Sequence, residues 1–326
     1  MCRKRGTQPL FRKASLTHDS TSLGPLRQFC WDEDMVTLKV IDVQELTVSY
    51  GKFTAVEELS FEVQQGELYA LLGTNGAGKT SALETIEGHR RPSSGTIRVF
   101  DQDPRDRRSV RPRMGIMLQE SGFAPSLRVG ETVELFGAVS GRQDDKDRVL
   151  QRVGLSHKDT VQVSQLSGGE KRRLDFATAI YGDPELVFLD EPTTGLDIEA
   201  RDELWQVVSE LRDQGATLVL TTHYLEEAQE HADRIGLMHR GRLELEGTFN
   251  QLAGSFPTTI SFSTPEYRGE VPVPVDTTDR GWKLQTQDPQ RDLFKLLQWS
   301  EEKAIRISNL SVQPASLDDI FRTLSN

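Results

Sequence analysis

Gly73-Thr74-Asn75-Gly76-Ala77-Gly78-Lys79-Thr80 fits the pattern G-x-x-x-x-G-K-[ST] at every position. It follows a dense apolar run, Leu68 to Leu72, and opens a helix-favouring stretch at Lys79. That order of strand, loop and helix gives the pattern its chemical meaning. Glycines let backbone N–H groups turn inward around phosphate oxygens, and the following helix adds the partial positive charge of its N-terminus. Lys79 is the candidate to neutralise the outer phosphates, and the Thr80 hydroxyl is the candidate ligand of Mg2+. The competing reading is a glycine-rich turn without function, and the flanking strand and helix weigh against it.

Hydrolysis of a bound phosphate needs carboxylates nearby, and Leu186-Val187-Phe188-Leu189-Asp190-Glu191 offers two at the end of a short buried strand. Carboxyl ends of strands in an open α/β sheet are where ligands bind, which places Asp190 for Mg2+ and Glu191 for the attacking water. Alone, such an acidic pair reads more readily as a solvated turn; the phosphate loop upstream reverses the balance. Thr217 to Leu220 predicts another buried strand, and Ile198 to Arg212 a crossover helix, so a parallel sheet follows. Before the phosphate loop, Leu38–Val43, Leu46–Tyr50 and Leu59–Val63 alternate with turn residues between them and predict antiparallel strands. Val129 to Leu155 reads as an α-helical insertion. Gly254-Ser255-Phe256-Pro257 breaks the pattern, and beyond it Thr258–Ser263 and Ala304–Ile307 predict strands, and Arg291–Trp299 and Leu317–Leu324 helices, of a small α/β appendage.

The bulk properties exclude several classes. The chain has 326 residues, 36% of them hydrophobic, and a formal net charge of −11, so it lacks the basic field that non-specific nucleic-acid binding requires, and no nucleic-acid partner is expected. The two cysteines, Cys2 and Cys30, form neither a disulfide framework nor a CxxC pair, which fits a reducing cytoplasm. No run approaches the roughly 18 to 20 apolar residues of a membrane span. The basic start, with Arg3, Lys4, Arg5, Arg12 and Lys13, has no apolar segment after it, so residues 1–34 are expected to be a disordered extension or to precede the true start at Met35.

Leu166-Ser167-Gly168-Gly169-Glu170 is a second glycine-rich helix start, followed by Lys171-Arg172-Arg173. It is a second anion site, and one triphosphate does not need two from one chain. This stretch resembles the signature motif of the ABC ATPases, and over residues 36 to 255 the chain is similar to that family throughout. The resemblance implies a P-loop NTPase core with a parallel sheet, an N-terminal antiparallel β subdomain and an α-helical insertion, here residues 35–255, with the appendage at 256–326. It implies ATP and Mg2+ as cofactors, and a head-to-tail homodimer, or a pair with another ABC subunit, in which the Ser167, Gly168, Gly169 and Glu170 loop covers the γ-phosphate held by Gly73, Asn75, Gly76, Ala77, Gly78, Lys79, Thr80 and Ser81 of the other copy. It also implies that Tyr50 stacks on adenine, that Gln119 contacts Mg2+ and water, that Asp197 lies on a loop crossing the dimer interface, and that His223 contacts the γ-phosphate. Taken singly, Tyr50 reads equally as a packing residue, Gln119 as a surface amide and His223 as a strand-end histidine. Two departures are small: Ser81 stands where many relatives have Thr and still offers a hydroxyl, and Asp101 occupies a turn where relatives often carry Gly.

Four stretches lean toward the exporter branch of daunorubicin-resistance type: Gln119-Glu120-Ser121-Gly122, the run Thr222 to Ala228, the appendage, and the closing Ser316-Leu317-Asp318-Asp319-Ile320-Phe321. That branch implies an ATP-hydrolysing subunit on the cytoplasmic face of the membrane, driving a separately encoded integral membrane permease that exports a drug, lipid or polysaccharide. Soluble ABC proteins of ribosomes or DNA repair carry tandem cassettes, coiled coils or zinc hooks, and none is present here. A regulatory role of residues 258 to 326 stays open at this stage.

Overall fold

A computed structural model of the chain describes residues 38–119, 122–264, 267, 269–278 and 281–325. The expected extension, residues 1–34, lies outside the described residues, as do Glu120 and Ser121. The described chain runs β1 (Lys39–Tyr50), β2 (Phe53–Gln64), β3 (Leu68–Gly73), α1 (Lys79–Ile86), β4 (Ser94–Val99), α2 (Arg107–Val110) and β5 (Met114–Met117). The helical insertion follows as α3 (Val129–Ser140) and α4 (Lys146–Arg152). Then come α5 (Gly168–Ile180), β6 (Leu186–Asp190), α6 (Ile198–Asp213), β7 (Thr217–Thr221), α7 (Leu225–His231), β8 (Arg234–His239), β9 (Arg242–Gly247) and α8 (Phe249–Gly254). The appendage consists of β10 (Thr258–Ser263), β11 (Asp276–Thr278), β12 (Gly281–Thr286), α9 (Pro289–Glu302), β13 (Ser308–Gln313) and α10 (Leu317–Ser325).

The central sheet has the order β5-β6-β7-β3-β8-β9, with β9 antiparallel and the rest parallel. Its inner strands are apolar on both faces because both faces are covered. In β3, Leu68, Ala70 and Leu72 enter one core while Tyr69 and Leu71 enter the other. β6 divides in the same way, with Val187 and Leu189 on the first side and Leu186 and Phe188 on the second. This period of two sends the first set toward helices α3 to α6 and the second toward α1 and the antiparallel sheet β2-β1-β4.

Two expectations are corrected. The stretches Leu38–Val43 and Leu46–Tyr50 are one strand, because the polar Gln44-Glu45 break is a bulge: Glu45 takes φ of 50° and its N–H donates to Ser60 Oγ at 2.9 Å. The strand expected at Ala304–Ile307 begins only at Ser308. Ile305 N–H donates to Ser300 O at 2.9 Å, closing α9, and Ile305 and Ile307 are apolar because they pack beneath the appendage core, not because they pair in its sheet. Asp101 takes φ of 62°, the backbone expected where relatives carry Gly.

The appendage sheet, β11-β12-β10-β13, has its own core around Ile260, Phe262, Leu284, Leu296 and Trp299. Its last helix does not belong to that core. Leu317 and Ile320 of α10 are buried in the main core, against α7, α8 and β8. Ile320→Ala is therefore expected to destabilise the cassette itself, by about 2–5 kcal/mol. Urea unfolding followed by a probe in the cassette checks this; a midpoint equal to wild type would contradict it.

Candidate functional site

Backbone geometry builds the phosphate loop. Gly78 adopts φ of +100°, and a Cβ there would lie 2.3 Å from the Ala55 carbonyl oxygen; at Gly73 it would lie 2.6 Å from the Met238 oxygen. Both positions therefore require glycine. Between them the Ala77 N–H donates to Thr74 O at 3.0 Å, Ala77 itself is buried, and Asn75 and Gly76 are exposed. Lys79 Nζ folds back to donate to Gly73 O at 2.6 Å. Burial lowers the Lys79 pKa, while the nearby Glu191 and Asp190 charges raise it. Thr80 is exposed on the first turn of α1. The Ser81 hydroxyl lies 3.1 Å from that of Tyr50, whose ring is half exposed and has the Arg90 guanidinium 4.3 Å from its centroid.

The ends of β6 and β7 supply the acids. Register pairs Asp190 with Thr221, and the Thr221 hydroxyl donates to Asp190 Oδ1. Burial raises the Asp190 pKa, opposed by that hydrogen bond. Glu191 sits at φ of 50°, a left-handed conformation costing a side-chain-bearing residue about 1–2 kcal/mol. Its N–H is pinned to Thr221 O at 2.9 Å, and its Oε2 lies 3.4 Å from His223 Nδ1. Behind this pair, buried Glu227 accepts the hydroxyls of Thr193 at 2.9 Å and Thr222 at 3.2 Å, tying the loop after Glu191 to the loop carrying His223.

The signature loop stands apart. Ser167 caps α5, its Oγ accepting the Glu170 N–H at 3.2 Å while Glu170 Oε2 accepts the Ser167 N–H at 2.8 Å. Glu170 also pairs with Lys158 at 2.9 Å, and these partners bring its pKa down to about 2. A Cβ on Gly168 would meet nothing within 4 Å, so this helix start is open on its outer side; Gly169 lies 3.6 Å from Gly195 O by the same measure. Asp197 caps α6 by accepting the Ala200 N–H at 2.9 Å. The Gln119 side chain is exposed and its carbonyl accepts from Arg172 at 3.2 Å. A cleft of about 640 Å³ is bordered by Gly73, Thr74, Asn75, His223, Phe321 and Arg322, and no residue of Ser167–Glu170 lines it.

Thr80 and Asp190 are hard oxygen donors, and among the described residues no group of three or more acids, cysteines or histidines is arranged to hold a metal ion by itself. That sparse set fits Mg2+, which keeps waters and takes phosphate oxygens in preference to an all-protein cage.

Residues 56–194 match the family model for ABC transporters, and residues 258–316 match the C-terminal domain of ABC transporter domain-containing proteins. The chain is 34% identical over 296 residues to the Nod factor export ATP-binding protein I of Paraburkholderia xenovorans, covering 87% of this chain and 96% of that one. It belongs to the ABC transporter family. The daunorubicin resistance ATP-binding protein DrrA3 of Streptomyces coeruleorubidus is 34% identical over 292 residues, covering 85% of this chain and 92% of its own. A solved structure of an ATP-binding subunit of an ABC transporter is 25% identical with a TM-score of 0.62, covering 66% of this chain and 92% of that structure. The chain is thus an ABC ATP-binding subunit with ATPase activity, homologous to exporter ATPases, on the fold expected from sequence.

Of the residues singled out in this ABC ATPase, Lys79, Asp190, Glu191 and His223 converge at the ends of β3, β6 and β7. Ser81 lies on the first turn of α1 with the Tyr50 hydroxyl beside it, whereas Ser167 to Glu170 lie on a separate helix start. Sequence reasoning missed Thr221, Glu227 and Arg172, and it missed that α10 lines the cleft. The two threonines before His223 were a visible signal for the first of these; the others depend on tertiary packing.

Proposed function

We propose that this subunit powers an exporter: two copies, or this chain and a paired ABC subunit, close head to tail around ATP and drive a separately encoded membrane permease from the cytoplasmic face. The observation that carries the reading is the separation of two glycine-rich helix starts. One, at Gly73 to Thr80, adjoins the carboxylates; the other, at Ser167 to Gly169, is open and lies outside that cleft. An anion-binding helix start exposed to the outside is complete only when another chain brings it a phosphate.

In the closed pair, Gly73, Asn75, Gly76, Ala77, Gly78 and Lys79 cradle the phosphates, with Ser81 beside them and Tyr50 against the adenine. Ser167, Gly168 and Gly169 of the facing copy cap the γ-phosphate through backbone N–H groups, and Glu170 holds that cap in shape. Asp197 sits at the interface. Thr80, Asp190 and Gln119 would hold Mg2+, which when bound neutralises charge developing on the phosphate oxygens. Glu191 orients the attacking water and accepts its proton, and His223, 3.4 Å from that carboxylate, is placed to contact the γ-phosphate.

The permease docks in a groove beside the helical insertion. Met114, Ile116, Leu118, Phe136 and Val139 line it together with Arg107 and Arg111, and Val139 is 79% exposed. Such an exposed apolar patch marks an interaction surface. Among the described residues no helix is long and apolar enough to cross a membrane, so the spanning part of the transporter is assigned to another polypeptide. Residues 35–255 are the cassette and 256–326 the accessory subdomain, although α10 returns to the cassette core. Affinity isolation of the tagged chain from detergent-solubilised host membranes tests the reading. A co-purified protein with about six spanning segments is expected; a chain recovered from the membranes with no such protein contradicts it.

A further inference from the structure

One buried cation is unused by the roles above. Arg172 lies on the second turn of α5, 7% exposed, five positions after Ser167. Its Nε donates to Pro192 O at 3.3 Å, its Nη1 to Leu118 O at 2.7 Å and Gln119 O at 3.2 Å, and its Nη2 to Glu191 O at 2.6 Å and to Asp190 O. A guanidinium has five N–H groups, and here each meets a main-chain carbonyl. Asp175, one turn further along, lies 4.0 Å from Nη1; burial lowers the Arg172 pKa, and the carboxylates of Asp175, Asp190 and Glu191 oppose that by favouring the charged guanidinium. The three segments it joins are those that matter for turnover: the helix that begins with the signature loop, the loop carrying Gln119, and the end of β6 carrying Glu191.

We propose that Arg172 is the positioning residue that fixes the Glu191 carboxylate relative to the Gln119 loop and the signature helix. Glu191 holds a left-handed backbone that its own side chain disfavours, and it is fixed at both ends: its N–H by Thr221 and its carbonyl by Arg172. Release of the carbonyl lets the residue relax toward an ordinary conformation and swings the carboxylate away from the attacking water. A shift of α5 when the facing copy's phosphate meets Ser167, or of the Gln119 loop when the permease moves, reaches Glu191 through the same guanidinium. Lysine cannot replace it, since an ammonium offers three donors from one point and not a planar fork.

The inference rests on the assignment of the attacking water to Glu191, and the test separates the two. In the full chain, kcat and the ATP dissociation constant are measured for Arg172→Lys, Glu191→Gln and the double variant, with thermal melting as a folding control. Arg172→Lys is expected to lower kcat by about 10- to 100-fold, the scale of a misplaced catalytic group, with ATP affinity within about two-fold of wild type. In the Glu191→Gln background it is expected to cost nothing further, because both changes remove the same function. Arg172→Gln serves the same comparison if the lysine variant does not fold. A kcat within two-fold of wild type for Arg172→Lys, or losses that multiply in the double variant, overturns the proposal for Arg172. Wild-type turnover by Glu191→Gln alone overturns instead the reading it rests on.

Discussion

Glu191→Gln is expected to slow ATP turnover by about 10²- to 10⁴-fold, the usual worth of a general base, while leaving ATP binding intact. The side-chain amide matches the carboxylate in shape and can occupy the same position at the end of β6, while the main-chain N–H of residue 191 still donates to Thr221 O and its main-chain carbonyl still accepts from Arg172. What it loses is the capacity to take a proton from water. Lys79 and the phosphate loop do not depend on that capacity, so affinity should persist and the nucleotide should accumulate unhydrolysed. Steady-state phosphate release and equilibrium binding, measured on the same preparation, separate the two quantities. Turnover at the wild-type rate would remove Glu191 from its role.

Lys79→Ala should fail earlier in the cycle. The ammonium is partly buried, and its pKa is lowered by that burial and raised by Glu191 and Asp190, so a cation there sits close to two acids until a triphosphate arrives. A hydrogen bond to a charged group contributes about 1.5–3 kcal/mol, which corresponds to roughly a 10- to 150-fold rise in the ATP dissociation constant. The loss of the bond from Lys79 Nζ to Gly73 O loosens the empty loop as well, so the melting temperature belongs in the same experiment. Unchanged ATP affinity in a folded variant would contradict the assignment. The two substitutions thus divide the site: one stops chemistry with nucleotide held, the other stops binding.

Features governed by local chemistry were legible in the sequence. The phosphate loop and the acidic end of β6 could be read because glycines at Gly73 and Gly78 are demanded by close backbone approach, and because both faces of β3 and β6 are covered, which makes those strands continuous apolar runs. The start of α5 was legible for the same reason, since Ser167 and Glu170 form a capping box over four residues. What escaped depends on distant neighbours. The apolar stripe of α10 through Leu317 and Ile320 marks a helix, but nothing local says that it packs on the cassette and not on the appendage. The apolar Ile305 and Ile307 look like strand residues because packing under a core and pairing in a sheet select the same side chains. Arg172 is the extreme case: its hydrogen-bond acceptors are main-chain carbonyl oxygens, which every residue carries, so no side chain elsewhere in the sequence announces them.

The central claim is that one triphosphate is enclosed by two chains, cradled by Lys79 of one and capped by the Ser167 loop of the other. Sedimentation of the Glu191→Gln protein with saturating ATP and Mg2+ tests it most directly, since that variant should hold the closed state. The account predicts twice the monomer mass with ATP, and the monomer mass when ATP is withheld or when Ser167→Arg blocks the cap. A Glu191→Gln protein that binds ATP and remains a monomer both alone and with the paired ABC subunit, or one that dimerises equally well with Ser167→Arg, would contradict it.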